Sequence, residues 1–226
     1  MPQVVLDGIT LDVPGALATP ALAGRLADGS FEATEAAAAR ARVGAGMRVL
    51  DLGAGIGFVA SILARGAGAE NLLAVEANPA MIPVLEANLA RNGHGAAKVR
   101  HGAVTGGAGV GMVRFQVPRA ALGASIARPD VPEEEVVEVP GLGLEGLIYE
   151  HRPELVMMDV EGAEAQLFDQ PWNPELRFLV LELHPPRYPG RVIKRIVDCM
   201  SDSGLTYDPV ISCGRVLGFR RIPRAG

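Results

Sequence analysis

Cysteine is nearly missing from this chain: among 226 residues only Cys199 and Cys213 occur, without Cys-x-x-Cys spacing. That excludes a disulfide framework or a zinc site, and the two thiols read as inert packing residues of a reducing compartment. Positive charge is also short. Twenty-one Lys+Arg face 26 Asp+Glu, a formal charge of −5, so no basic stripe is available to neutralise a run of phosphates and nucleic acid is excluded as the expected partner. Long hydrophobic runs are absent too. Leu52 to Ala64 carries no charged side chain, but it is studded with glycines and falls short of the ~20 apolar residues of a membrane-spanning helix. No basic region followed by an apolar core opens the chain, so no signal peptide is expected and the expected location is cytoplasmic.

What is present is a chain 49% apolar, rich enough to build a sizeable core and, at ~100–200 residues per domain, expected to form one domain over 1–226. From about Met47 onward, short apolar blocks alternate with helical periods, which means α/β. The strand candidates are Arg48–Leu52, Asn71–Glu76, Lys98–Val104, Glu154–Asp159 and Arg177–Leu183, each apolar enough for a parallel sheet covered on both faces. Between them lie helices at Gly57–Arg65 and Met81–Asn92, the latter requiring Pro83 in its first turn. Val192, Ile193, Ile196, Val197 and Met200 make an apolar stripe at helical spacing before Gly204. Thr206–Ser212 and Arg215–Arg220, joined through Cys213-Gly214, are too close for a crossover and predict an antiparallel hairpin. Residues 1–45 hold a strand-like start at Val4–Leu11 and an alanine-rich helix around Glu32–Arg42, and read as an N-terminal cover for a core over 46–226. Residues 105–140, rich in Gly and Pro with an acidic run at Glu133-Glu134-Glu135, break the alternation and read as a substrate-side insertion. The acidic run is either a solvated loop or a flap over substrate.

The segment that carries chemistry is Val49-Leu-Asp-Leu-Gly-Ala-Gly-Ile-Gly-Phe58. A strand runs into glycines 53, 55 and 57 and then into a helix, as a chain must where it bends sharply and lets a ligand approach its backbone. Dinucleotide sites want a third glycine where this chain has Phe58, and a pyrophosphate at the helix N-terminus. Asp51 is the only charged residue between Val49 and Ala64, and a carboxylate there repels pyrophosphate but attracts a sulfonium or an ammonium. The sequence thus prefers S-adenosylmethionine to a nicotinamide cofactor. Glu76, ending the next strand, is placed to accept hydrogen bonds from ribose hydroxyls. After it come Ala77 and Asn78, the latter a contact or simply a helix cap. His101-Gly102-Ala103 closes the third strand where an adenine edge would lie.

The set Val49-Leu-Asp-Leu-Gly-Ala-Gly-Ile-Gly57, Val75-Glu-Ala-Asn-Pro79, Met158-Asp-Val-Glu-Gly-Ala-Glu164 and Leu181-Glu-Leu-His184 resembles the FkbM family of S-adenosylmethionine-dependent methyltransferases. Gly29-Ser-Phe-Glu32 looks like that family's opening segment, usually Gly-x-Tyr-Glu, with Phe31 in place of the tyrosine. The resemblance implies a Rossmann-like methyltransferase fold, a mostly parallel sheet ending in an antiparallel hairpin. It also implies O-methylation of hydroxyl groups on polyketides, sugars or other small molecules. The expected cofactor site is Phe31, Glu32, Asp51, Gly53, Ala54, Gly55, Gly57, Phe58, Glu76, Ala77, Asn78, His101, Gly102, Ala103 and Asp159.

An alcohol becomes a good nucleophile when a base removes its proton in the transition state. Asp159 and Glu182/His184 end neighbouring strands at one sheet edge, so His184 or Asp159 is the expected base, with Glu161 and Glu182 orienting partners or substrate hydroxyls. The structural alternative is that Asp159 caps the next helix and that Glu161 and Glu164 favour its positive N-terminus. No metal is expected, although Asp159, Glu161, Glu182 and His184 would suit Mg²⁺. The alternative function is a catalytically silent S-adenosylmethionine-binding regulatory subunit.

Overall fold

The computed structural model describes residues 3–15, 19–107, 109, 111–117, 125–127 and 132–222. The strand-like start is a hairpin of two strands, β1 (Gln3–Leu6) and β2 (Ile9–Asp12). They turn through Asp7-Gly8, both at positive φ, as a two-residue hairpin requires. Helices α1 (Pro20–Ala27) and α2 (Ala33–Arg42) follow. The core then alternates: β3 (Val49–Leu52), α3 (Phe58–Ala67), β4 (Leu72–Glu76), α4 (Ile82–Arg91), β5 (Lys98–His101). Pro83 falls in the first turn of α4, where its missing N–H costs nothing.

The expected strand Lys98–Val104 is two strands. Gly102, at φ +156, breaks it, and a Cβ there would stand 2.7 Å from the Pro140 carbonyl. β6 (Ala103–Thr105) therefore leaves the main sheet and joins β7 (Met112–Gln116), β8 (Ser125–Ile126) and β9 (Val136–Gly143) in a second sheet of order β6-β9-β7-β8. Residues 105–140 thus carry strands that their composition did not announce; 108, 110, 118–124 and 128–131 lie outside the described residues. Glu133–Glu135 forms a short 3-10 turn into β9, with Glu133 paired to Arg114 and Glu135 accepting from Gln116.

After α5 (Leu144–His151) come β10 (Leu155–Met158), β11 (Phe178–Glu182), α6 (Gly190–Asp202), β12 (Leu205–Tyr207) and β13 (Val216–Arg221). The seven-stranded sheet has the order β12-β13-β11-β10-β3-β4-β5. β11, β10, β3, β4 and β5 are parallel, and β13 and β12 are antiparallel at one edge. Apart from the split Lys98–Val104, the strands are as predicted within a residue or two, except that the first arm of the hairpin is only Leu205–Tyr207, because Asp208 to Ser212 form a turn.

Alternation along the buried strands divides the core. Leu50, Leu52, Leu73, Val75, Val156 and Met158 face α5 and α6. Val49, Leu72, Ala74, Leu155 and Met157 face the layer of α1 to α4 and the N-terminal hairpin. Each fully buried aliphatic side chain contributes on the order of 1.5–3 kcal/mol. In α6 the predicted stripe holds for Val192, Ile196 and Met200, but Val197 is 42% exposed and Cys199 takes the buried position instead.

One buried ion pair ties α2 to the hairpin. Arg42 donates from Nε and Nη2 to the two oxygens of Asp208 at 2.6 and 2.7 Å, and the Asp208 side chain is fully buried. Burial opposes the charge, but the Arg42 hydrogen bonds win and hold the Asp208 carboxyl below its ordinary 3.8. Its stabilisation is therefore full above that ordinary value and is lost as pH falls through the lower folded value. Arg42→Ala leaves the carboxylate buried and unpaired, at a cost of about 3–5 kcal/mol. The expected result in calorimetry is a Tm lower by roughly 10 °C; a shift below about 2 °C would show that the pair contributes little.

Candidate active site

The carboxyl ends of β3, β4, β10 and β11 open onto a cavity of about 430 Å³. This is the crevice where sheets of this kind bind ligands, on either side of the first core strand. Leu52 ends β3 and Gly53 takes φ +87; a Cβ on it would lie 1.8 Å from the Asp159 carbonyl oxygen. The Asp159 N–H in turn donates to the Leu52 carbonyl at 2.8 Å, so two loops meet backbone to backbone.

Four amides of this turn are already engaged. Those of Gly53 and Ala54 donate to the Val75 carbonyl, that of Gly57 to the Ala54 carbonyl, and that of Gly55 to Glu76 Oε2 at 2.8 Å. A pyrophosphate would need such N–H groups free. The charges point the same way. Asp51 is 3% exposed, with Oδ2 unpartnered among the described residues, and burial followed by the charge of Glu76 pushes its carboxyl up to about 7. Burial, then Asp159, Glu35 and Asp51, hold the Glu32 carboxyl well above its usual range. Desolvated carboxyls gathered at one end of a cleft suit a positively charged ligand, whose approach restores their ionised forms. This donor set fits S-adenosylmethionine and not a dinucleotide.

Glu76 braces the next loop as well. Its Oε1 accepts from the Asn78 N–H at 2.6 Å, and Asn78 Oδ1 accepts from Ala80 N–H. Burial raises the Glu76 carboxyl, and the N–H bonds of Asn78 and Gly55 oppose the rise. Glu76, Ala77 and Asn78 form one wall, with Gly102 and Ala103 beyond them.

At the other end lies an imidazole among carboxylates. His184 is 5% exposed. Its Nδ1 is 3.1 Å from Glu164 Oε1; its Nε2 is 3.5 Å from both Asp159 Oδ1 and Glu161 Oε2, and 3.9 Å from Glu182 Oε2. Burial alone would lower its pKa, but Glu164, by hydrogen bond and charge, with Asp159 and Glu161, raises it above 6.5. Burial, then repulsion from Glu182 and Glu161, lifts the Asp159 carboxyl well above 3.8. Asp159, Glu182 and His184 each offer one ligand atom, all within 4.8 Å of one another, so this corner could also hold a divalent cation.

Of the predicted site residues, the cavity brings together Phe31, Glu32, Gly53 and Gly55, the Glu76 and Gly102 segments, and Asp159, Glu161, Glu182 and His184. Five sit behind its walls. Asp51 and Ala54 lie beneath the turn, Gly57 packs on Leu85, Phe58 stands 6.2 Å from Phe31, and His101 donates from Nε2 to the Ala77 carbonyl. Sequence reasoning missed Arg25 and Glu35 from the N-terminal helices, Phe115 and Ile126 from the second sheet, and Cys213 to Val216 at the hairpin junction. From that junction Arg215 reaches Glu182 at 2.7 Å. Only the hairpin had a local signal, and nothing in it told where the turn would land.

No curated protein matches the chain. Among solved structures it is similar to a precorrin-6y C5,15-methyltransferase from Geobacter metallireducens, at 13% identity over 83% of this chain and 85% of that one, with a TM-score of 0.43. It is also similar to a ribosomal protein L11 methylase from Lactobacillus delbrueckii subsp. bulgaricus (13% identity, 86% and 80% covered, TM-score 0.46). A third is an O-methyltransferase from Bacillus cereus in complex with SAH (10% identity, 92% and 84% covered, TM-score 0.44). The methyltransferase FkbM domain matches residues 51–207, from Asp51 beneath the glycine turn to Tyr207 at the end of β12. The chain therefore belongs to the FkbM methyltransferase family and is an S-adenosylmethionine-dependent methyltransferase.

Proposed function

We propose that the chain methylates a hydroxyl oxygen of a small molecule seated between the carboxyl ends of β10 and β11. The observation that carries this reading is the placement of His184 Nε2, 3.5 Å from Asp159 and Glu161, in the cavity that also holds the Gly53 turn. S-adenosylmethionine supplies an electrophilic methyl group. The glycine turn, Glu76 and Asn78 would hold the cofactor, and Glu32 and Asp159 would supply negative potential for its cationic groups. His184 takes the hydroxyl proton at Nε2, where a base is worth about 100–10,000-fold. Asp159 stabilises the imidazolium that results, while Glu161 and Glu182 accept hydrogen bonds from neighbouring hydroxyls. Arg187 and Arg215, paired with Glu161 and Glu182, keep those carboxylates turned toward the cavity. Phe115 and Ile126 offer apolar contact for the acceptor's body, and orienting it against the methyl group supplies roughly 7–11 kcal/mol.

The test is a methyl-transfer assay over methyl glucosides, cyclohexanols and phenols, with matched amines as controls. Turnover confined to hydroxyl compounds supports the reading, and turnover confined to amines sinks it. The hydroxyl activity is expected to survive exhaustive EDTA treatment. Loss of turnover that added Mg²⁺ restores would instead make Asp159, Glu182 and His184 ligands of a cation.

A further inference from the structure

We infer that Glu164 is a positioning residue for methyl transfer: it holds the His184 ring so that Nε2 faces the acceptor as a base. This rests on the reading of His184 given above. Glu161 and Gly162 both take left-handed backbone, at φ 51 and 104, which folds the chain back into the 3-10 turn Ala163–Gln166. That turn carries Glu164 beneath the end of β11, where its side chain is fully buried. A carboxylate accepts only, so at 3.1 Å from Glu164 Oε1 the Nδ1 of His184 carries a hydrogen, and in the neutral ring the lone pair is then on Nε2. The backbone is pinned as well, since the His184 N–H donates to the Tyr188 hydroxyl at 2.7 Å.

The energetics favour a role beyond packing. Glu164 Oε2 has no hydrogen-bond partner among the described residues. A buried carboxylate satisfied on one side is costly, and the cost falls when positive charge forms beside it. Positive charge forms there when Nε2 accepts the acceptor's proton. Glu164 thus stabilises the imidazolium and the state leading to it, without touching substrate.

Glu164→Gln, His184→Ala and the double variant separate this role from a structural one. The assay uses whichever methyl glucoside or cyclohexanol is turned over, with thermal melts as a control for folding. Glu164→Gln is expected to lower kcat about 100-fold in the native background and by less than about twofold beside His184→Ala, because the two act as one unit. Affinity for S-adenosylmethionine stays within about twofold. Nitrogen-15 spectra of the ring in the S-adenosylhomocysteine complex should show the Nδ1–H tautomer of neutral His184, replaced by a mixture in Glu164→Gln. Equal losses of kcat in both backgrounds, or ring nitrogens that Glu164→Gln leaves unmoved, overturn the inference while His184 stays the base. Native turnover by His184→Ala removes the base reading itself, and the catalytic worth of Glu164 with it.

Discussion

Gly53→Ala is expected to abolish binding of S-adenosylmethionine in calorimetric titration, with at least about a 100-fold loss of affinity. The new methyl group would stand 1.8 Å from the Asp159 carbonyl oxygen, about half the normal contact distance. Neither neighbour is a side chain that can swing away. The carbonyl belongs to the loop leaving β10, whose next contacts are with His184, so relief of the overlap must part the two halves of the site. The backbone adds its own cost, because φ +87 is a conformation that L-residues adopt at about 1–2 kcal/mol. Gly46→Ala is the matched control. It too has positive φ, at +76, but its Cβ would meet nothing within 4 Å, so it should bind the cofactor normally with a slightly lowered Tm. Native affinity in Gly53→Ala would show that the cofactor sits elsewhere.

The second large effect belongs to the proton. His184→Ala and Asp159→Asn should each slow methyl transfer by about 100–10,000-fold, or roughly 3–5 kcal/mol of activation free energy. Cofactor affinity should change far less than turnover. Because the pair acts together, the double variant should be little worse than the more damaged single. Methyl transfer left intact by the double replacement would retire both residues from the base role.

The sequence discloses the parts of this site whose local chemistry leaves one solution. A strand running into glycines 53, 55 and 57 can only turn, and Pro83 can only sit at a helix start. Strand ends at Glu76, Asp159 and Glu182 follow from the parallel alternation. Asp51 shows where local reading stops. It adjoins the glycine turn, yet its side chain is buried behind the cavity lining, and only its charge reaches Glu76 and Glu32 there. Glu164 resembles an ordinary acid near a helix start, and only the neighbouring end of β11 makes it the partner of His184. The second sheet was hidden because β6, β7 and β8 are short and β9 contains Pro140 and two glycines, so no period extends far enough to stand out. The one-residue break at Gly102 is a tertiary requirement, imposed by the carbonyl of Pro140.

Glu76 engages the amides of both Gly55 and Asn78, so a single carboxylate keeps two loops in step. The cleft is therefore preorganised: its ordering entropy is spent during folding, and encounter with the donor requires little rearrangement.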